Sequence, residues 1–394
     1  MAQPSDDEEQ YPNDIVSSRS LIGTLTSPPP LPTLTFDLIA EILCRLPVKL
    51  LIQLRCLGKY WKSLISDPKF AKKHLQSSIK RHHLMVSSTN NLNEFVLYDS
   101  EMSCVLSSTS IVKQTQINYP VTVTVTPQKN GYREPSSLCS CDGILCFAID
   151  PTSAILWNPS IRKLELLPPL ENNNPLKRVI YSTYSFGYDR FIDNYKTVVV
   201  NFCIGHNEVS VNTMGTDYWR RIHDFPLYGP VHRPGVFVSG TVNWLAYDAL
   251  SSHSCAIVSL DLEKESYQKL SHPDLENDAD MRTLGVVRDC LCIFATNDMF
   301  LDVWIMNEYG NKESWTKLYS VPYIKERGFR IYTKDLYFSE DDQLLINLYN
   351  SGINELELAV YDSKNGTLRI PKIQNIDRYM DPEVYIESLV SPCS

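Results

Sequence analysis

The sequence predicts a mainly β protein with a small α domain in front of it: three short N-terminal helices, then a β-propeller of about six blades. Two patterns predict this. Apolar residues recur at helical spacing only between about residues 34 and 65; from about His82 onward, short runs rich in Val, Ile, Tyr, Phe and Trp alternate with turn clusters as far as Val390. Within that second region one kind of segment returns six times: an apolar strand reaching Asp or Asn, a polar turn, then a second strand.

Residues 1–30 are acidic and Ser-rich and end in Pro28-Pro29-Pro30, so they read as a flexible tail with too little apolar periodicity to offset the entropy of ordering. Leu38, Ile39, Ile42, Leu43 and Leu46 then recur three and four apart and share one helix face, with Pro47 as the expected stop. A second amphipathic stretch runs from Val48 to Cys56 and breaks at Gly58, and a third carries Trp61, Leu64 and Ile65. Together they form a module over residues 31–78. A unit this small needs a partner or a staple to be stable. Leu34, Leu38, Ile42, Leu43, Leu46, Pro47 and Leu51 supply more apolar surface than three short helices bury among themselves, which marks a partner site. Trp61, Leu64 and Ile65 read as the module's own core, with a share of Trp61 at that interface.

The β region, residues 81–392, carries the repeats FVLYDSEMSCVL, AILWNPSIRKLELLP, EVSVNTMGTDYWRRI, AIVSLDLEKESYQKL, VWIMNEYGNKESWTKL and LAVYDSKNGTLRIPKI. Their turn positions, Asp99, Asn158, Asn212, Asp261, Asn307 and Asp362, lie 46 to 59 residues apart, near the period of a kelch-like propeller blade. Another hairpin precedes most of them, as in CSCDGILCFAI and VFVSGTVNWLAY, which gives each unit the four strands of a blade. The Asp and Asn residues read as turn formers that bond their own backbone. Trp157, Trp219, Trp244, Trp304 and Trp315 read as core where blades pack. A propeller must join its ends, so VYIESLVSP near the C-terminus is expected to pair with strands around Leu84 to Leu106 in one mixed blade.

A formal net charge of −9 excludes a general phosphate-backbone binder, so nucleic acid is not an expected partner, and no apolar run approaches the length of a membrane span. The opening MAQPSDDEEQYPND lacks the features of a secretory or transit signal, which places the expected site of action in the cytoplasm and/or nucleus. The eleven cysteines then read as reduced packing residues; Cys139–Cys141 and Cys290–Cys292 lack the CxxC spacing or neighbouring His pair of a metal site. The eight histidines are scattered, and GxSxG, HExxH and Gly-rich phosphate loops are missing, so neither an enzyme nor a cofactor is expected.

Residues 34–74, LTFDLIAEILCRLPVKLLIQLRCLGKYWKSLISDPKFAKKH, resemble the F-box of the large plant F-box family at Asp37, Glu41-Ile42-Leu43, Arg45 to Lys49, Arg55-Cys56, Lys59, Trp61 and Leu64 to Pro68. They depart from its pattern at Thr35, Leu50 and Gly58; a Gly within a helix would cost about 1 kcal/mol relative to Ala. Most of residues 138–392 resembles the F-box-associated interaction domain, at CDGILCF, LWNPSIRKLELLP, GTVNWLAYD, SLDLEKESYQKL and VYIESLVSP among others. The resemblance implies a non-catalytic, substrate-recognition subunit of an SCF-type ubiquitin ligase. Its F-box would bind a Skp-type adaptor, and through it a cullin and a RING protein, by way of Leu34, Asp37, Leu38, Ile42, Leu43, Leu46, Pro47, Leu51 and Trp61. Its β domain would hold a protein substrate. The competing expectation is a stand-alone propeller scaffold unconnected to ubiquitin.

One further pattern concerns the substrate. An Arg precedes the first strand of each unit, at Arg81, Arg133, Arg178, Arg233, Arg282 and Arg330. Such positions fall on the rim of one propeller face, where a basic ring would bind an acidic or phosphorylated segment. Arg178, Arg233, Arg282 and Arg330 are the substrate-binding candidates.

Overall fold

The computed structural model describes residues 35–89, 95–107, 111–117, 138–150, 152–170, 179–203, 205–247, 255–273, 281–296, 300–322, 329–331, 337–350, 355–374 and 381–393. The expected tail over residues 1–30, Leu34, Arg133 and Arg178 lie outside these residues.

Four helices come first: α1 (Phe36–Leu43), α2 (Val48–Leu54), α3 (Lys59–Ile65) and α4 (Pro68–Ser77), with a 3-10 turn at Arg55–Leu57. The fourth, beyond the three expected, has a clear start: Asp67 accepts the Lys69 N–H at 2.7 Å, and Pro68 opens the helix where its missing N–H costs nothing. α1 ends at Leu43, ahead of Pro47, as expected of a residue whose predecessor is pushed out of helical geometry, and Pro47 stands at the cap that begins α2. Gly58 precedes α3 in extended backbone, so no helix-interior penalty applies to it.

Behind the helices stand six sheets, each a blade of antiparallel neighbours. Blade 1 has β1 (His82–Thr89), β2 (Phe95–Glu101) and β3 (Thr115–Ile117), with α5 (Met102–Ser107) between the last two. Blade 2 has β4 (Cys139–Cys141), β5 (Ile144–Asp150), β6 (Ser153–Asn158) and β7 (Lys163–Leu166). Blade 3 has β8 (Val179–Asp189), β9 (Asn194–Cys203), β10 (His206–Thr213) and β11 (Arg220–Arg221). Blade 4 has β12 (Val236–Val238), β13 (Thr241–Tyr247), β14 (Cys255–Asp261) and β15 (Ser266–Leu270). Blade 5 has β16 (Met281–Val287), β17 (Cys290–Thr296), β18 (Phe300–Met306) and β19 (Trp315–Pro322). In blade 6, β20 (Phe329–Ile331) and β21 (Tyr337–Phe338) both pair with β22 (Gln343–Asn350), followed by β23 (Glu355–Asp362) and β24 (Thr367–Arg369).

The ring closes as expected. The last strand, β25 (Asp381–Ile386), pairs antiparallel with β1, Tyr385 opposite His83, and completes blade 1 as its first strand. First strands of successive blades touch around a central cavity of about 1090 Å³. Apolar clusters fill the gaps between blades, with Trp157 and Trp244 fully buried, Trp315 nearly so, and Trp219 and Trp304 packed against their edges. All eleven cysteines are free, and Cys139, Cys141 and Cys146 pack together in the core between blades 2 and 3.

Five of the six repeated polar positions lie at the end of a third strand or within one residue of it. Asp261 accepts the N–H groups of Glu263 and Lys264 at 2.9 Å, Asp362 that of Lys364 at 3.0 Å, and Asn158 that of Ser160 at 2.9 Å, each shaping its turn. Asp99 departs from the pattern: blade 1 carries α5 where the others turn, and Asp99 lies inside β2.

Candidate functional site

The turns joining first to second strands, and third to fourth, all lie on one face of the propeller, and the helical module sits on that face. Its core of Leu43, Cys44, Val48, Leu51, Ile65, Phe70 and Ala71 is completed by propeller residues: Leu389, just beyond β25, and Ile161 of the β6–β7 turn. Lys72 of α4 pairs with Asp193 of the β8–β9 turn at 2.6 Å and lies over the Tyr188 ring. Lys80 approaches Asp289 of the β16–β17 turn at 3.7 Å.

The C-terminal segment beyond β25 is wedged between the two parts. Asn158 donates to the Ser388 and Val390 carbonyls at 3.1 and 2.8 Å. Gly143, in the β4–β5 turn at φ +81°, leaves room for the segment; a Cβ there would stand 2.5 Å from the Ile386 carbonyl oxygen and the Ser388 hydroxyl. Glu387 faces His83 at 3.5 Å, and the other His83 nitrogen bonds Asp99 at 3.1 Å, with the Tyr385 hydroxyl donating to Asp99 at 2.9 Å. Burial opposes charge on His83, but the hydrogen bonds and charges of Asp99 and Glu387 outweigh it and raise its pKa to about 9. The same contact holds the Glu387 carboxyl below its usual range, helped by the Val48 N–H at the head of α2.

On its far side the module offers apolar surface to solvent. Leu38 and Ile42 of α1 are each 51 % exposed, with Leu50, Leu57 and Tyr60 also open. Of the expected adaptor-binding residues, Asp37 is exposed alongside them, and Leu46, Pro47 and Trp61 are half-buried. Leu43 and Leu51, at 4 % and 0 % exposure, have turned inward and hold the module to the propeller. Leu50, Leu57 and Tyr60, which were not among the expected residues, fall off the apolar stripe; a large apolar residue on a helix's polar side was the available signal.

The arginines divide between the faces. Arg233 and Arg282, each half-buried, line one cavity of about 220 Å³ between blades 4 and 5 on the face away from the module. Arg330 lies on β20 opposite Tyr349; only its backbone is described. Arg81 does not belong with them. It precedes β1, which is the second strand of its blade because β25 takes first place, so it sits on the module's face beside Glu387 and His74.

Two other clusters bear on chemistry. Cys203, His206 and Glu208 bring their ligand atoms within 4.8 Å of one another at the β9–β10 hairpin, a C-x₂-H-x-E spacing that the search for CxxC and paired His passed over. Glu208 is already neutralised there by Arg221 at 3.0 Å. His83 with Asp99 has the form of a base and its orienting acid, but its second nitrogen meets a carboxylate and it is held charged, so it has no capacity to take a proton from a nucleophile. Among the described residues no helix is long and apolar enough to cross a membrane.

Residues 93–392 match the F-box associated beta propeller domain family, and residues 31–73 match the F-box domain. The chain belongs to the F-box associated β-propeller family. It is similar to an F-box/kelch-repeat protein of Arabidopsis thaliana, 30% identical over 387 residues that cover 91% of this chain and 96% of the relative. The F-box protein CPR1 of Arabidopsis thaliana is 27% identical over 394 residues, 92% of this chain and 89% of its own length. In this F-box protein the F-box match takes in α1 to α3 and the first half of α4, part of a helical module docked by one side to the propeller and open on the other.

Proposed function

We propose that this F-box protein is the substrate-recognition subunit of an SCF-type ubiquitin ligase, acting in the cytoplasm and/or nucleus. The F-box binds a Skp-type adaptor, which joins it to a cullin and a RING protein, while the propeller holds the protein to be ubiquitinated. The chain itself is non-catalytic and contributes proximity, raising the effective concentration of a target lysine at the conjugating enzyme.

The observation that carries this reading is the two-sidedness of the F-box. A patch formed by Leu38, Ile42, Leu50, Leu57 and Tyr60 stays in water although the module has a propeller to bury it against, and it buries the opposite side instead. A helical cap with no partner would gain by turning that patch inward.

Replacing Leu38 and Ile42 together by Ala should weaken capture of a Skp-type adaptor at least tenfold while the melting curve stays put, since truncating central apolar anchors commonly costs about 2 kcal/mol each. Leu46 and Pro47 make a poorer test because the Leu46 side chain packs against the module's own core and Pro47 caps the start of α2, so their replacement would disturb the module itself. Unchanged adaptor affinity in calorimetry would remove the ligase reading and leave a propeller scaffold.

A further inference from the structure

We infer that the adaptor closing over the open side of the F-box meets it with an acidic surface, drawn in and oriented by the exposed lysines of α2, α3 and α4. This rests on the substrate-recognition reading above and names the chemistry of the partner's contacting face.

The first argument is the distribution of charge along the chain. Residues 44–81 hold ten Lys and Arg against a single acid, Asp67, in a chain of net charge −9. The module is thus cationic and the remainder of the chain more acidic than the whole. A local field of that sign attracts an acidic partner and turns it toward the module. A long polyanion such as nucleic acid would meet the acidic remainder as well, so a single acidic protein face is the better fit.

The second argument is where the cations stand. Arg45, Lys72 and Lys80 are engaged with Glu41, Asp193 and Asp289. Lys49, Lys59, Lys62, Lys69 and Lys73 are exposed, and no ion pair ties them to another of the described residues. Three of them border the open apolar patch. Lys49 adjoins Leu50 in α2, and Lys59, at the head of α3, falls between Leu57 and Tyr60 and one turn before Lys62. α1 contributes an acid instead, Asp37, beside Leu38. An apolar patch bordered by cations on two helices and an acid on a third favours one orientation of its partner.

Local energetics supply the third argument. Lys49 and Lys59 lie in the first turns of α2 and α3, which contain no acid and have no capping side chain. A cation there opposes the helix dipole. Lys59 with Lys62, and Lys69 with Lys73, stand three and four apart, where like charges repel. These placements weaken the module's own helices, so its stability gives no reason for them. A partner that brings carboxylates does, because contact turns each repulsion into attraction.

The test measures association and dissociation of the full chain and a purified Skp-type adaptor by stopped-flow fluorescence, between about 50 mM and about 500 mM salt. The association rate constant should fall at least fivefold over that range, with dissociation changing less. K49E/K59E/K62E should slow association at least tenfold at low salt, and added salt should then speed it, a change of sign that a merely structural effect would not produce. Glutamate suits the first turns of α2 and α3 better than lysine, so the variant is expected to melt no lower than the unmutated chain. The acidic tail, with Asp6, Asp7, Glu8, Glu9 and Asp14, is the rival occupant of the lysines. An effect of charge reversal that disappears when residues 1–30 are removed would assign them to that tail and overturn the inference. Adaptor binding that is tight yet indifferent to salt and to charge reversal overturns the inference and leaves the ligase reading intact. No adaptor binding by the unmutated chain overturns both.

Discussion

His83 is a buried cation held between two carboxylates, and its titration is written into the stability of the closing blade. Its pKa rises from the ordinary 6.5 to about 9 on folding, so its contribution is complete below about pH 6.5 and is lost as pH rises through about 9. With the side chain 11 % exposed, that contribution is on the order of 3 kcal/mol. His82, pushed down to about 4 by burial, stays neutral across the whole window. Melting curves should therefore fall between about pH 6.5 and 9 for the native chain relative to H83Q, and parallel curves would show that His83 is not held as described. The sequence marked Asp99 only as a turn former. Its partners His83 and Tyr385 stand 16 and 286 positions away, and no local pattern encodes such a meeting.

The element that does most for the assembly is the C-terminal segment, whose two halves have separate tasks. Asp381–Ile386 supplies a strand to β1, covering an edge that would otherwise be open to another chain. Residues 387–393 leave the sheet, giving Leu389 to the F-box core and Val390 to the core between blades 2 and 3. Removing residues 381–394 should abolish the folded propeller and produce aggregates on size-exclusion chromatography. Removing only residues 387–394 should leave the β25–β1 pairing in place but expose α1–α4 to protease. If both truncations resist limited proteolysis like the intact chain, the segment is not the staple between the two domains. Closure itself was legible in the sequence, because a terminal β-rich stretch after six counted repeats has nowhere else to pair. The wedging was not legible, since Leu389 and Val390 are adjacent in the chain yet serve different cores.

For the whole molecule, the consequence is an F-box held in one position on the propeller. The F-box occupies one face of the propeller, tied by Leu389, by Lys72 with Asp193 and by Glu387 with the head of α2, while Arg233 and Arg282 lie toward the other. A rigid link makes the reach of the conjugating enzyme a matter of geometry, whereas a loose one spreads the target over a larger volume and lowers its effective concentration. Leu389→Asp should free the F-box without touching its open surface, because a carboxylate does not fit that apolar core without a partner. Adaptor affinity should then stay within about twofold, while self-ubiquitination of propeller lysines in a reconstituted ligase shifts to a broader set of sites. An unchanged pattern of modified lysines, read by mass spectrometry, would show that the docking does not set the geometry.

By itself the sequence determined what depends on local rules. Helical spacing marked the module, strand and turn chemistry repeated at blade length marked six blades, and an F-box pattern marked the family, because each of these signals is carried by residues near one another in the chain. Only the tertiary structure decided which apolar residues of the module face out. Leu38 and Leu51 are equally apolar and both helical, and burial of one against Leu389 and Ile161 left the other in water. It also decided the sorting of the arginines: β25 takes the first place in blade 1 and so carries Arg81 to the F-box face, while Arg233 and Arg282, 49 positions apart, meet in one cavity. The physical reason is the same in each case. Exposure and proximity are set by which surfaces the ring brings together when it closes, and that closure is a property of the whole chain.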